Sequence, residues 1–371
     1  MPRLPIESCS STRVVINGRE LIAFGGCNYL GLADRPSVRQ ALIDGLSKWG
    51  FSTTASRETT GNTLAHESLE RELSAFVGQE SAILTAEGYT ANFACMQGLS
   101  RDLGVALIDQ RAHRSIRDAA VAAGMQVFEY EHLNAKSAKW LIDLHKDAGV
   151  AIITDSVFAA DGSIAPLPEL LALLPAHRSA LVVDDCHGLG VLGDNGQGAI
   201  RHFGLDDPRI IITSTLAKGL GCYGGAVMGR QPFIRKVRER AWVYRNSTPV
   251  PPAIAEAVRE SLRIVSTDTS VVQRLRTNIA AVRETLASLG FDLPPDNIPI
   301  FTFFLKTEKQ MEAVYDRLLD RGILIPLIDY PGGPAPRYFR LVITAAHTPA
   351  DIAALTRELT AAMPKAFANV M

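Results

Sequence analysis

Cysteine is scarce in this chain of 371 residues, and what there is stands scattered. Cys9, Cys27, Cys95, Cys186 and Cys222 are odd in number and lack metal-ligand spacing. That argues against a disulfide framework and against a zinc site, so reduced thiols that mostly fill space are expected, with no metal. An excess of one charge is also missing. The 38 Lys and Arg against 39 Asp and Glu leave a formal charge of -1, and no block of like charges forms a tail. Nothing pulls such a protein toward nucleic acid or an anionic membrane surface. No apolar run is long enough to span a bilayer, and the first residues, MPRLPIESCSSTRVV, lack a basic stretch followed by an apolar one. A cytoplasmic protein acting on small, neutral-to-anionic metabolites is the expectation. Internal repeats and low-complexity tracts are absent as well.

What the chain does have is the composition of an ordinary globular protein, 47% hydrophobic and 21% charged, with material for one large or two medium domains. Apolar strand-like runs alternate with amphipathic helical ones. The strands are expected at 81–86, 105–109, 126–131, 150–157, 179–185, 209–214 and 224–229. The helical segments between them include SVRQALIDGLSKW, HESLERELSAFV, TANFACMQGL and SIRDAAVAAG. This alternation predicts an α/β protein with a mainly parallel seven-stranded sheet covered by helices. The proline cluster STPVPP and a long helical stretch follow, and then a second strand-helix-strand set from IPIFTFFLK to YFRLVIT. The division expected is an N-terminal segment 1–45, a large domain 46–255 and a smaller C-terminal α/β domain 256–371.

Five places carry chemistry. Lys218 follows the β-branched run Ile210-Ile211-Ile212-Thr213 and precedes the glycine-rich GLGCYGG. An amine at the mouth of such a loop, with Ser214 and Thr215 before it, suits a Schiff base beside a bound phosphate. The strand SALVVDDCH ends in Asp184, Asp185, Cys186 and His187, at the strand end where ligands sit in open α/β sheets. Two readings stay open there: a metal site, and a carboxylate holding a proton on a heterocyclic nitrogen with the His on the same ring. Consecutive strand residues cannot all face one ion, which weighs against the metal. The following Gly188-Leu189-Gly190-Val191-Leu192-Gly193 matches a dinucleotide fingerprint, but no apolar-periodic helix opens from it. His113, just after VALID, has a ring that could stack on a planar cofactor or simply be solvated. Gly88 and Tyr89 open a helix after SAILTA, a natural phosphate seat. Arg340 heads an apolar strand and can grip a carboxylate with two hydrogen bonds, or form a structural ion pair.

Together these segments resemble the α-oxoamine synthases, pyridoxal-phosphate enzymes of the fold-type-I aminotransferase superfamily. The resemblance rests on GCNYLGL, SRETTGNTLAHESLE, AEGYTAN, DQRAHRS, DSVFAADGSIAPLPEL, DDCHGLGVLGDNGQG, STLAKGLGCYGG, STPVPP and RLVITAAHT, in the family's order and over nearly the whole chain. It implies that Lys218 carries pyridoxal 5′-phosphate as an imine and exchanges protons at the substrate Cα. It further implies that Asp184 pairs with the pyridine nitrogen, His187 with the ring hydroxyl, and that His113 stacks on the ring. Gly88, Tyr89 and Thr215 would hold the phosphate, and Thr248 would reach the phosphate in the neighbouring subunit, which implies a homodimer with shared sites. Asn28 and Arg340 match positions that face an amino-acid carboxylate. The activity implied is decarboxylative condensation of a small amino acid with an acyl-CoA. An aminotransferase on the same fold and a cofactor-binding relative without catalysis are the alternatives.

Several positions depart from the family. Its Asp-Glu-Ala-His reads Asp184-Asp185-Cys186-His187, its Glu-x-Val-Phe-Ser has Asp155 and Ala159 at the ends, and the approach to Arg57 reads GFSTTASR. The segment before Arg340, LIDYPGGPAPRYF, lacks an Arg-Pro-Pro-Thr-Val-Pro run, and the N-terminal helix before NYLGL is nearly absent. The missing Ser hydroxyl at 159 leaves the ring hydroxyl to His187, and the acyl donor is the part of the reading that the resemblance fixes least.

Overall fold

The computed structural model describes residues 5–291, 293, 296–330 and 332–363. They divide into two compact units. One comprises Arg35–Phe158 and Ile164–Thr267; the other takes the described parts of Met1–Asp34, Ala159–Ser163 and Asp268–Met371. Among the described residues no helix is long and apolar enough to cross a membrane, and no cluster of His, Cys, Asp and Glu could hold a metal ion.

The larger unit is built on seven strands in the spatial order Ser81–Thr85, Gly225–Gly229, Ile210–Thr215, Ser179–Asp184, Val150–Asp155, Val105–Asp109 and Gln126–Tyr130. Gly225–Gly229 runs antiparallel to both neighbours and the other pairings are parallel. The expected sheet is therefore observed, with strand ends shifted by one or two residues. The reason for continuous apolar runs such as VAIITD is visible in their burial: every residue of Val150–Asp155 is inside, as required of a parallel strand covered on both faces. Helix Gly88–Leu99 is apolar on nearly all sides, with Ala91, Ala94, Cys95, Met96 and Leu99 buried. It packs against helices Arg114–Ala122 and Gln231–Arg240 as well as the sheet, which leaves little of it beyond Tyr89 exposed.

The smaller unit holds a three-stranded antiparallel sheet, Ile300–Phe303, Tyr338–Val342 and Leu327–Ile328, and helices Thr269–Ser288, Glu308–Asp320 and Pro349–Ala362. The N-terminal residues form strands Ser8–Cys9, Arg13–Ile16 and Arg19–Ala23, joined in parallel by Ile323–Leu324. The division by compactness differs from the sequence expectation at both ends. Residues up to Asp34 go with the C-terminal unit, and position 255 falls inside helix Pro252–Thr267, which stays with the larger one. That helix packs on Pro36–Trp49 and Leu64–Val77. Contact is close enough that a Cβ on Gly45 would meet the Ala253 Cα at 2.8 Å.

Gly45 lies mid-helix with ordinary backbone angles, so Gly45→Ala sets two effects against each other. Helix propensity favours alanine by about 1 kcal/mol, while overpacking against a neighbouring backbone costs about 1–3 kcal/mol. Packing is expected to win, and a lower thermal midpoint is the predicted result. A higher midpoint would mean that the two helices separate without cost.

Candidate active site

Parallel strands place their carboxyl ends at one edge of the sheet, and in the larger unit that edge collects the chemistry. Asp109, Asp155, Asp184 and Thr215 each end a strand. In register, Asp155 lies opposite Asp184, and Asp184 opposite Thr213. His113 caps helix Arg114–Ala122 just beyond Val105–Asp109, and Gly88 opens its helix just beyond Ser81–Thr85.

Lys218 is half-buried, and its Nζ lies 2.8 Å from His187 Nε2, within hydrogen-bond distance. Asp184 is buried; its Oδ2 accepts from Asn92 Nδ2 at 2.8 Å and its Oδ1 from the Cys186 N–H at 3.1 Å. Asn92 also donates to Ser115 Oγ at 2.8 Å, and Ser115 Oγ lies 2.7 Å from His113 Nδ1. The structure thus brings Asp184 and His113 into one hydrogen-bonded set, through two residues that the sequence reading did not assign. A signal for Asn92 was present: it ends AEGYTAN, one helical turn after Gly88. Ser115 had none beyond its closeness to His113.

Burial sets the electrostatics. It lowers the His113 pKa, and Lys218 adds to that while Asp184 opposes it. It pushes Asp155 well above the usual carboxylate range, with the facing Asp184 adding to the shift, although the His113 N–H donates to Asp155 Oδ1 at 3.2 Å. Burial also raises the Cys186 thiol, helped by Asp184. Cys186 Sγ accepts the Thr215 N–H at 3.1 Å, tying its strand end to the start of the lysine loop. Asp185 turns away from this set. A Cβ on Gly188 would sit 2.0 Å from its Oδ1, and one on Gly198 2.0 Å from its Oδ2, while the Ala199 N–H donates to Oδ2. Gly188 and Gly198 thus enclose one buried carboxyl, while Gly190 lies against Gly219 and Gly196 against Gly190, so close packing within the fold accounts for these glycines without a dinucleotide.

At the other end of the site, a Cβ on Gly88 would meet Thr215 Cβ at 2.7 Å, so glycine alone lets the helix start approach the Lys218 loop. The Glu87 N–H at the start of that helix is bonded to Thr90 Oγ1 at 3.1 Å, and the N–H groups of Gly88 and Tyr89 lie in the first turn, where a helix offers no backbone acceptor. Tyr89 is exposed, its ring lies T-shaped to that of His113 at 6.3 Å between centroids, and its hydroxyl donates to Asp118. Thr248 is exposed.

Asn28 and Arg340 belong to the smaller unit. The Asn28 amide is engaged locally: Nδ2 donates to Ser11 Oγ, and Oδ1 accepts the Leu32 and Ala33 N–H groups. Arg340 Nε donates to the Ala159 carbonyl at 2.8 Å, and its Nη2 is 4.0 Å from Cys27 Sγ. From GCNYLGL, the side chains of both Cys27 and Tyr29 interact with Arg340.

These residues fit a group that carries a basic ring nitrogen, a phenolic oxygen, an aldehyde and a phosphate. A buried carboxylate, an imidazole beside a lysine amine, and a helix start kept open by glycine supply one counterpart each. The sequence model of the aminotransferase class I and II family matches residues 19–359. The chain belongs to the aminotransferase class I and II family. It is 36% identical to the 8-amino-7-oxononanoate synthase of Methylococcus capsulatus, over 97% of this chain and 94% of that one. The synthase of Thioalkalivibrio sulfidiphilus is likewise 36% identical, over 97% and 93%. Among solved structures, a serine palmitoyltransferase from S. paucimobilis with PLP and myriocin bound aligns with a TM-score of 0.91 at 28% identity, covering 97% of this chain and 92% of that one. The Francisella tularensis 8-amino-7-oxononanoate synthase aligns at 0.78 and 25%, covering 92% and 98%. The fold is that of the fold-type-I pyridoxal-phosphate-dependent transferases, and the resemblance to α-oxoamine synthases holds.

Asp185 generates a prediction about pH. Burial raises its pKa to about 7, opposed by Ser156 and the Ala199 N–H, whereas an unfolded Asp titrates near ~3.9. The folded protein therefore holds a proton that the unfolded chain releases between these values. Its contribution to stability is present at low pH and lost as pH rises through about 7. The thermal midpoint should fall between pH 5 and pH 8 by less in Asp185→Asn than in the native protein; equal falls would remove Asp185 as the cause.

Proposed function

We propose that this protein is a pyridoxal-phosphate-dependent acyltransferase that condenses a small amino acid with an acyl-CoA and releases CO₂, CoA and an aminoketone. Its type is that of 8-amino-7-oxononanoate synthase. The observation that carries the reading is the Lys218 amine 2.8 Å from His187 at the sheet edge that also holds Asp184 and His113. Curated relatives bearing that synthase's name, over nearly the full length, support it.

Pyridoxal phosphate, when bound, supplies an electron-accepting ring for the electron pair left at the amino acid's Cα. Lys218 anchors it and takes the Cα proton. Asp184 keeps a proton on the ring nitrogen, and Asn92 holds that carboxylate in place. His187 attends both the lysine amine and the ring hydroxyl, the latter without help from Ala159, which has no hydroxyl to offer. Gly88, Tyr89 and Thr215 hold the phosphate. In the smaller unit Arg340 receives the amino-acid carboxylate, with Cys27 beside it. The new C–C bond forms at the thioester carbon as the C–S bond breaks to release CoA; the carboxyl group then leaves as CO₂, and a proton from Lys218 takes its place at Cα. The protein works as a cytoplasmic homodimer, with the exposed Thr248 reaching across to the neighbouring subunit's phosphate.

Release of CO₂ from a panel of small amino acids, dependent on an acyl-CoA, is the expected result. Lys218→Ala should lower it by about 10²- to 10⁴-fold, the range for loss of a positioned proton-transfer group. Keto-acid formation from the amino acid without any acyl-CoA would instead make the protein an aminotransferase.

A further inference from the structure

Asn92 is buried on helix Gly88–Leu99, and its side-chain amide is used at both ends. Thr213 Oγ1 donates to Asn92 Oδ1 at 2.7 Å, and Nδ2 donates to Asp184 Oδ2 and to Ser115 Oγ, each at 2.8 Å. Chemistry fixes this orientation, because a carboxylate oxygen accepts and the amide nitrogen must face it. The consequence passes to Ser115. Its oxygen already takes an N–H from Asn92, so its own proton is free for His113 Nδ1, 2.7 Å away. The Ser115 backbone N–H points at the same nitrogen from 3.3 Å. With two donors aimed at Nδ1, that nitrogen carries no proton, and the ring proton is on Nε2.

We infer that Asn92 and Ser115 are positioning residues of this site, a hydrogen-bond relay that orients the Asp184 carboxylate and holds His113 as the neutral Nε2–H tautomer. The inference rests on the reading of Asp184 and His113 as partners of the cofactor. Each end of the relay has its own effect. At Asp184, Asn92 steadies the oxygen pair that the ring nitrogen needs. At His113, the relay makes the imidazole an N–H donor at Nε2 and denies it the role of base at Nδ1.

The groups facing His113 come from several elements: Asp155 from Val150–Asp155, Asp184 from Ser179–Asp184, Lys218 from the loop after Ile210–Thr215, Asp118 from its own helix and the Tyr89 ring from Gly88–Leu99. None of these gives Nδ1 a proton donor, so Ser115 is the group whose loss should be felt there. A hydroxyl donating to Nδ1 favours the neutral ring, so removing it moves the His113 titration upward.

The test is nitrogen-15 NMR of histidine-labelled protein, with His113 identified by its loss in His113→Asn, both cofactor-free and after reconstitution with pyridoxal phosphate. The native protein should show a proton on Nε2 and none on Nδ1. In Ser115→Ala both tautomers should appear, and the His113 titration should rise by about half to one pH unit, the size of one neutral hydrogen bond. Asn92→Ala should weaken pyridoxal phosphate binding about 5- to 30-fold in an absorbance titration, while Ser115→Ala leaves that binding within about 3-fold. A native Nδ1 proton, or a Ser115→Ala protein with unchanged tautomer and titration, would overturn the relay. So would unchanged cofactor affinity in Asn92→Ala. Failure of the native protein to bind pyridoxal phosphate would instead defeat the cofactor reading, and the cofactor-free spectra would still report on the relay.

Discussion

Two carboxyl groups side by side at the end of a buried parallel sheet are the constraint on which this site depends. Asp155 and Asp184 are cross-strand neighbours, and both are buried. Equal ionisation of such a pair is costly. The structure resolves the conflict by giving them unequal surroundings. Asp184 receives the Asn92 amide and the Cys186 N–H, whereas Asp155 is left with its proton affinity raised by burial and by its neighbour. The hydrogen bonds to Asp184 and the raised proton affinity of Asp155 make the two carboxyl groups unlike. A glutamate at 155, as the family usually has, would carry its carboxyl one methylene further from the strand; the shorter Asp155 keeps it against the sheet.

The seven strands of the larger unit were legible because their signal is local. Runs such as VAIITD and IIITST are buried on both faces, so nothing polar interrupts them, and their ends are marked by the carboxylates and hydroxyls that must reach the sheet edge. The division of the chain was less legible. Helix Pro252–Thr267 joins the larger unit through contacts with Pro36–Trp49 and Leu64–Val77, more than 170 residues earlier, and no composition shift records that. Gly45 is the trace left in the sequence, a helix-interior glycine whose reason lies in Ala253.

The residues expected from sequence order at strand ends and loop mouths, Lys218, His187, Asp184 and His113, all lie in the larger unit: Lys218 meets His187, and Asp184 and His113 are joined through Asn92 and Ser115. What sequence order could not reveal were lateral relations. Asn92 matters because three different strands or helices bring Thr213, Asp184 and Ser115 within reach of one amide, a fact about neighbours across the fold. The glycine-rich loop after His187 was similarly ambiguous until the Asp185 carboxyl was found inside it. The turn that carries Cys27 and Tyr29 to Arg340 has positive φ at Gly26 and Gly31, and no residue of it signals that pairing by its position in the sequence.

A single chemical measurement reaches the central claim. Purified protein is incubated with pyridoxal 5′-phosphate, reduced with borohydride and digested, and the modified peptide is mapped. The account predicts one stable adduct, on Lys218, formed in the native protein and lost in Lys218→Ala. An adduct on another lysine, or no adduct above that of an unrelated protein, would contradict it.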